Sequence, residues 1–103
     1  MQIQENETEN GILFGIRGSL SGTQKSTIQL FELVSSKLDN CTKGIVIDLK
    51  EVTFIDNMSI GLLVGIILKA KEKGVLLRFQ NITNRISSIF ENTQLKKIFP
   101  ELY

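Results

Sequence analysis

The chain has 103 residues, 42% of them hydrophobic, which is enough for one core and too little for a second, so residues 1–103 are expected to form a single domain. Twelve Lys plus Arg against eleven Asp plus Glu leave a formal charge of +1, so no overall field draws the protein to nucleic acid or an anionic membrane, and partner choice must rest on a local surface. The absence of His and the single Cys, Cys41, exclude an intramolecular disulfide, a Cys–His nucleophile and the usual zinc or haem ligand sets. No metal, cofactor or enzymatic activity is therefore expected.

The opening MQIQENETEN is polar and acidic, unlike the basic-then-apolar layout of a signal peptide, and points to a cytoplasmic protein. An edge strand over residues 2 to 8, the hairpin signal Asn10-Gly11 and a returning strand Ile12–Arg17 make an antiparallel pair. Gly18 to Gly22 reads as a loop, with Thr23 as the N-cap of a helix reaching Leu38. There Thr27, Leu30, Phe31, Val34 and Leu38 follow the three-and-four spacing of an amphipathic face. Asp39 to Gly44 reads as a turn.

Ile45–Leu49 is apolar on consecutive positions, as strands covered on both faces tend to be. Lys50-Glu51 loosens the pattern before Val52–Ile55, and then comes a polar connection, Asp56-Asn57-Met58-Ser59. Asp56 or Ser59 caps the next helix, Met58 to Lys73, which Gly74 stops, with Lys69, Lys71 and Lys73 at its negative end. The near-continuous apolar run Ile60–Leu68 falls well short of the roughly 20 residues needed to span a bilayer. Gly61 and Gly65 are expected instead to let this helix lie close against the sheet. Val75–Gln80 is a strand, and Thr83 or Asn84 caps a helix with Ile86, Ile89 and Phe90 inward. A turn through Leu95, Ile98 and Phe99 stops at Pro100. The order β-β-α-β-α-β-α plus a terminal helical turn gives an α/β fold, a mixed four- to five-stranded sheet covered by helices.

Asp48 and Asp56 could approach one another as an acid/base pair, but without a metal or a defined cleft strand-end capping explains them better. The acidic pair and late lysine of a phosphorelay receiver are missing, as are GxxxxGK[ST] and GxGxxG loops. Attention therefore falls on the amino end of the helix after Asp56, where free N–H groups and the dipole favour an anion. If Leu62, Val64, Ile66 and Leu68 face the sheet, Ile60, Leu63 and Ile67 are left as an outward apolar surface of the kind that marks a binding face.

Residues Ile45 to Gly61, IVIDLKEVTFIDNMSIG, resemble the signature of the STAS domain, shared by bacterial anti-sigma factor antagonists and the cytoplasmic tails of sulfate transporters. Gly18-Ser19-Leu20 and the closing Leu95-Lys96-Lys97-Ile98-Phe99-Pro100 agree with it, and the likeness spans essentially the whole chain. In the antagonists this resemblance points to, Asp is followed by a hydroxyl residue that a serine kinase, itself the anti-sigma factor, phosphorylates. The added charge breaks the complex, and a phosphatase resets it.

Here Asn57 holds the phosphorylated position, Met58 the next and Ser59 the place usually given to glycine, while Ser21 stands where many antagonists carry an acidic residue. The resemblance implies an anti-sigma factor antagonist, non-enzymatic and acting by partner switching. Its docking face comprises Ser21, Gly22, Asp56, Asn57, Met58, Ser59, Ile60 and Leu63, with Met58 as an adaptable apolar contact. Either it binds constitutively through Asn57, or Ser59 serves as an alternative phosphosite. The implied partners are a serine-kinase anti-sigma factor and a phosphatase; the balanced charge gives no nucleic acid, no membrane insertion is expected, and a monomer is favoured with self-association left open. The alternatives are the small STAS subunit of a membrane lipid-transport ATPase and a regulatory domain that binds a nucleotide or phosphate.

Overall fold

The computed structural model describes residues 2–9, 11–40 and 43–92. The elements run β1 (Gln2–Thr8), β2 (Gly11–Leu20), α1 (Lys25–Asp39), β3 (Gly44–Ile55), α2 (Asn57–Lys73), β4 (Leu76–Gln80) and α3 (Asn84–Asn92). They form one four-stranded sheet in the order β1-β2-β3-β4. The β1–β2 hairpin is antiparallel, and β2, β3 and β4 run parallel. The expected turn through Leu95 to Pro100, and Cys41, lie outside the described residues. Among the described residues no helix is long and apolar enough to cross a membrane.

The tight start of β2 depends on Gly11. Its φ is +135°, and a Cβ there would run into the Gly44 backbone, so any side chain would push β2 off β3 at the point where they begin to pair.

Among the described residues only one face of the sheet is covered. Ile12, Ile45 and Leu77 are cross-strand neighbours, as are Phe14, Ile47 and Phe79, and all of them are buried. The alternate residues Val46 and Asp48 are half-buried, while Arg78 and Gln80 are exposed. This corrects the reading of Ile45–Leu49 as covered on both sides. The strand order advances from β2 to β4 without reversing, and right-handed crossovers in an unreversed order carry α1 and α2 to the same face. Val46 is thus an apolar residue on the uncovered face and not part of a second layer.

The helices obey their expected patterns with shifts at the ends. In α1, Thr27, Leu30, Phe31, Val34 and Leu38 are buried as their spacing requires. The N-cap is Gln24 and not Thr23, and no side chain caps it. Residues Gly18–Leu20 belong to β2 and not to a loop, with register shifts at Gly15/Arg17 and Gly18/Ser19 that let the longer strand bend. Gly74, at φ +71°, ends α2, and the Val75 N–H reaches back to the Ala70 carbonyl at 2.9 Å. Thr83 caps α3, its Oγ1 accepting from the Ile86 N–H at 3.3 Å, and Phe90 packs on Phe79 with ring centroids 5.9 Å apart.

The orientation of α2 departs from the expectation, although Ile66 is buried as expected and Leu62 and Val64 pack half-buried against the core. Ile60, Leu63, Ile66, Ile67 and Ala70 are buried, whereas Leu68 is 53% exposed. Gly61 and Gly65 are also exposed, and a Cβ on either would meet nothing within 4 Å. They do not bring the helix close to the sheet. Neither has a positive φ, so each forgoes about 0.5–1 kcal/mol of helix stability relative to alanine with no backbone reason among the described residues.

Candidate partner-docking corner

The corner is built where β3 ends and α2 begins. Asp56 is extended, at φ −85° and ψ 171°, and its side chain caps α2 by accepting from the Ser59 N–H at 2.8 Å. The same carboxylate accepts the Gly22 N–H at 3.1 and 3.0 Å through its two oxygens. The Asp56 N–H in turn donates to the Leu20 carbonyl at 3.1 Å. One residue therefore caps the helix and clamps the β2–α1 connection beside it. That connection is tightened by the Gln24 N–H donating to the Ser21 carbonyl at 3.0 Å and by Ser21 Oγ lying 3.1 Å from Thr23 Oγ1.

Partial burial works against the charged form of Asp56. The N–H and hydroxyl of Ser59, the N–H of Gly22 and the Ser21 hydroxyl outweigh it, and the carboxyl is held below the usual carboxylate range. The Ser59 hydroxyl acts there through proximity, since its Oγ is enclosed without a hydrogen-bond partner of good geometry.

Five of the eight residues expected at the docking face come to the surface together or support it. Asn57 and Met58 are exposed, Met58 at 59%. Asp56 and Ser21 are half-buried, and Gly22 is buried against Met58, whose Sδ would lie 2.8 Å from any Cβ placed there. The other three turn inward. Ile60 is 7% exposed and Leu63 is 1%, so both belong to the core and neither offers a side chain to a partner. Their removal from the surface follows from the rotation of α2 described above. Ser59 is wholly buried, so its hydroxyl is sealed in this conformation.

Asp48 and Asp56 do not meet. They are eight positions apart, with extended β3 between them, roughly 26 Å at the usual rise. Asp48 instead accepts from the Lys50 N–H at 2.9 Å and the Asn81 side chain at 3.2 Å, which holds Asn81 at φ +57° at the end of β4. Among the described residues no group of three or more His, Cys, Asp or Glu could hold a metal ion.

The family profile described as "STAS domain" matches residues 2–103. The chain belongs to the STAS domain family. Among solved structures it is similar to the unphosphorylated anti-sigma factor antagonist SpoIIAA, at 14% identity over 93% of this chain and 84% of that one, with a TM-score of 0.77. An anti-sigma factor antagonist from Mycobacterium paratuberculosis is similar at 15% identity, covering 96% and 82%, with a TM-score of 0.77. A sulfate transporter family protein from Wolinella succinogenes follows at 14% identity, covering 86% and 70%, with a TM-score of 0.70. No curated protein matches the chain. At these identities the structural likenesses establish the STAS fold, a mixed sheet with the order β-β-α-β-α-β-α.

The clamp from Gly22 to Asp56 was not legible in the sequence, because a backbone N–H carries no residue signature. The outward position of Leu68 was legible in principle. Ile60, Leu63, Ile66 and Ile67 recur at three-and-four spacing and go inward together, with the buried Ser59 on the same side.

Proposed function

We propose that this STAS domain is a non-enzymatic binding module of the anti-sigma factor antagonist kind, docking a serine-kinase-type anti-sigma factor through the corner formed by Ser21, Gly22, Asp56, Asn57 and Met58. The observation that carries this reading is the construction of the corner. Asp56 spends its charge on N–H groups of Gly22 and Ser59, which leaves a neutral amide, Asn57, beside an exposed, adaptable methionine. Such a surface suits a partner that must be gripped without a charge at its centre. Asn57 cannot be phosphorylated, and the Ser59 hydroxyl is enclosed, so the binding is constitutive at Asn57 and Ser59.

Capture of partners from the native cell extract, membranes included, with the wild-type chain and an Asn57→Asp variant tests the reading. A soluble kinase-like protein held by the wild type and lost by the variant supports it, and unaltered capture by the variant overturns it. Recovery of a membrane-bound ATPase in its place would favour the reading as a lipid-transport subunit.

A further inference from the structure

We infer that Met58 makes the docking corner sensitive to oxidation: a peroxide converts its thioether to a sulfoxide, which releases the partner, and reduction of the sulfoxide restores docking. This rests on the corner proposed above and adds a regulation to it. Of the five corner residues Met58 alone carries sulfur. Its side chain is 59% exposed, so a small oxidant reaches it without any unfolding. Its place is also set from one side by Gly22. A Cβ on Gly22 would lie 2.8 Å from the Met58 Sδ, so the sulfur lies along bare backbone that only a glycine leaves open. That backbone is the one whose N–H both Asp56 oxygens hold, and the thioether therefore rests against the clamp itself.

The chemistry balances with hydrogen peroxide as the oxidant. A sulfur lone pair attacks one peroxide oxygen, the S–O bond forms as the O–O bond breaks, and the proton of the transferred oxygen leaves with the departing hydroxide as water. Sulfur is oxidised by two electrons and the peroxide is reduced by two. The return step needs two thiols, which carry the oxygen away as water and end as a disulfide; methionine sulfoxide reductases supply them. The product differs from methionine where the corner is gripped. A flexible apolar contact becomes a dipole ending in an oxygen that accepts hydrogen bonds and donates none. The N–H groups of the clamp, on Gly22 and Ser59, already donate to Asp56. A partner packed on the thioether must then bury an oxygen to which the clamp offers no donor, and a buried acceptor without a donor weakens binding.

The full chain is treated with hydrogen peroxide and then used to capture the soluble partner from the native extract. Cys41 and Met1 also carry sulfur, so the oxidised residue is identified by peptide mapping. A thiol wash before capture reverses a sulfenic acid or disulfide at Cys41 but not a sulfoxide. The chain oxidised at Met58 is expected to capture the partner at least about tenfold more weakly than the reduced chain. The two methionine sulfoxide reductases, one for each epimer, are expected to restore capture together. Met58→Leu is read only as a ratio: whatever its own affinity, its capture is expected to be the same before and after peroxide. An oxidised wild type captured like the reduced one, a loss that the reductases do not reverse, a Met58→Leu chain that still responds to peroxide, or a Met58 that resists peroxide when free methionine reacts overturns the inference. The docking reading is tested separately, on the reduced chain, by Asn57→Asp. If that variant loses the partner and oxidation does not, this inference alone falls; if the reduced wild type captures no such partner, both fall.

Discussion

The two sides of α2 are both uncharged from Asn57 to Leu68 and do different work. On the inner side Ile60, Leu63, Ile67 and Ala70 close the core over β3, while on the outer side Met58, Gly61, Gly65 and Leu68 face solvent. The difference shows that in a helix uncharged over its first three turns the side is assigned by where the branched aliphatics recur at three-and-four spacing. The first turn agrees with that side: Asp56 caps α2 through the Ser59 N–H, and Ser59 is buried beside Ile60 and Leu63.

The strongest way to break this contrast is to cut the same residue type on each side. Leu63→Ala removes a side chain 1% exposed and is expected to cost about 2–5 kcal/mol, read as a lower midpoint in urea with the slope unchanged. Removing the cap at the start of α2 comes next. Asp56→Ala loses the cap and strands the Gly22 N–H, and about 1–3 kcal/mol of stability is expected to go. The Asp56 carboxyl is held low in the folded chain, so its contribution is fully present above its unfolded value near pH 4 and fades as the pH falls through the lower folded value. Asp56→Asn is therefore expected to flatten the acid limb of a stability-against-pH curve, and a limb identical to the wild type's would show that the cap is not felt.

On the outer side the expected effects shrink and one changes sign. Gly61→Ala is expected to stabilise the monomeric chain by about 0.5–1 kcal/mol, because the added methyl group meets nothing and the unfolded chain loses freedom. Leu68→Ser is expected to stay within about 0.5 kcal/mol of the wild type in thermal melts of dilute protein. A loss from Leu68→Ser as large as that from Leu63→Ala would mean that the two sides are not distinct.

Much of the architecture was readable residue by residue. The hydrophobic spacing of Thr27 to Leu38, the glycine stop at Gly74 and the inward Ile86 and Phe90 are local patterns, and each holds. The one-sided sheet was not readable from Ile45-Val46-Ile47. Which faces are covered depends on whether the strand order reverses, and that is a property of pairing between distant segments. The docking corner was legible as a place, through the polar break Asp56–Ser59 between two apolar runs, but not as a list of contacts. Ile60 and Leu63 were assigned to it from a helix phase off by about half a turn, and the burial of Ser59 corrects that phase.

The Gly22–Asp56 clamp also has a kinetic signature. The Gly22 amide lies in a connection between elements, yet both carboxylate oxygens of Asp56 hold it, and Asp56 is tied through Ser59 to the start of α2. Its deuterium uptake should therefore track the unwinding of α2 and not the breathing of its own segment, so that one loop proton reports when a distant helix lets go.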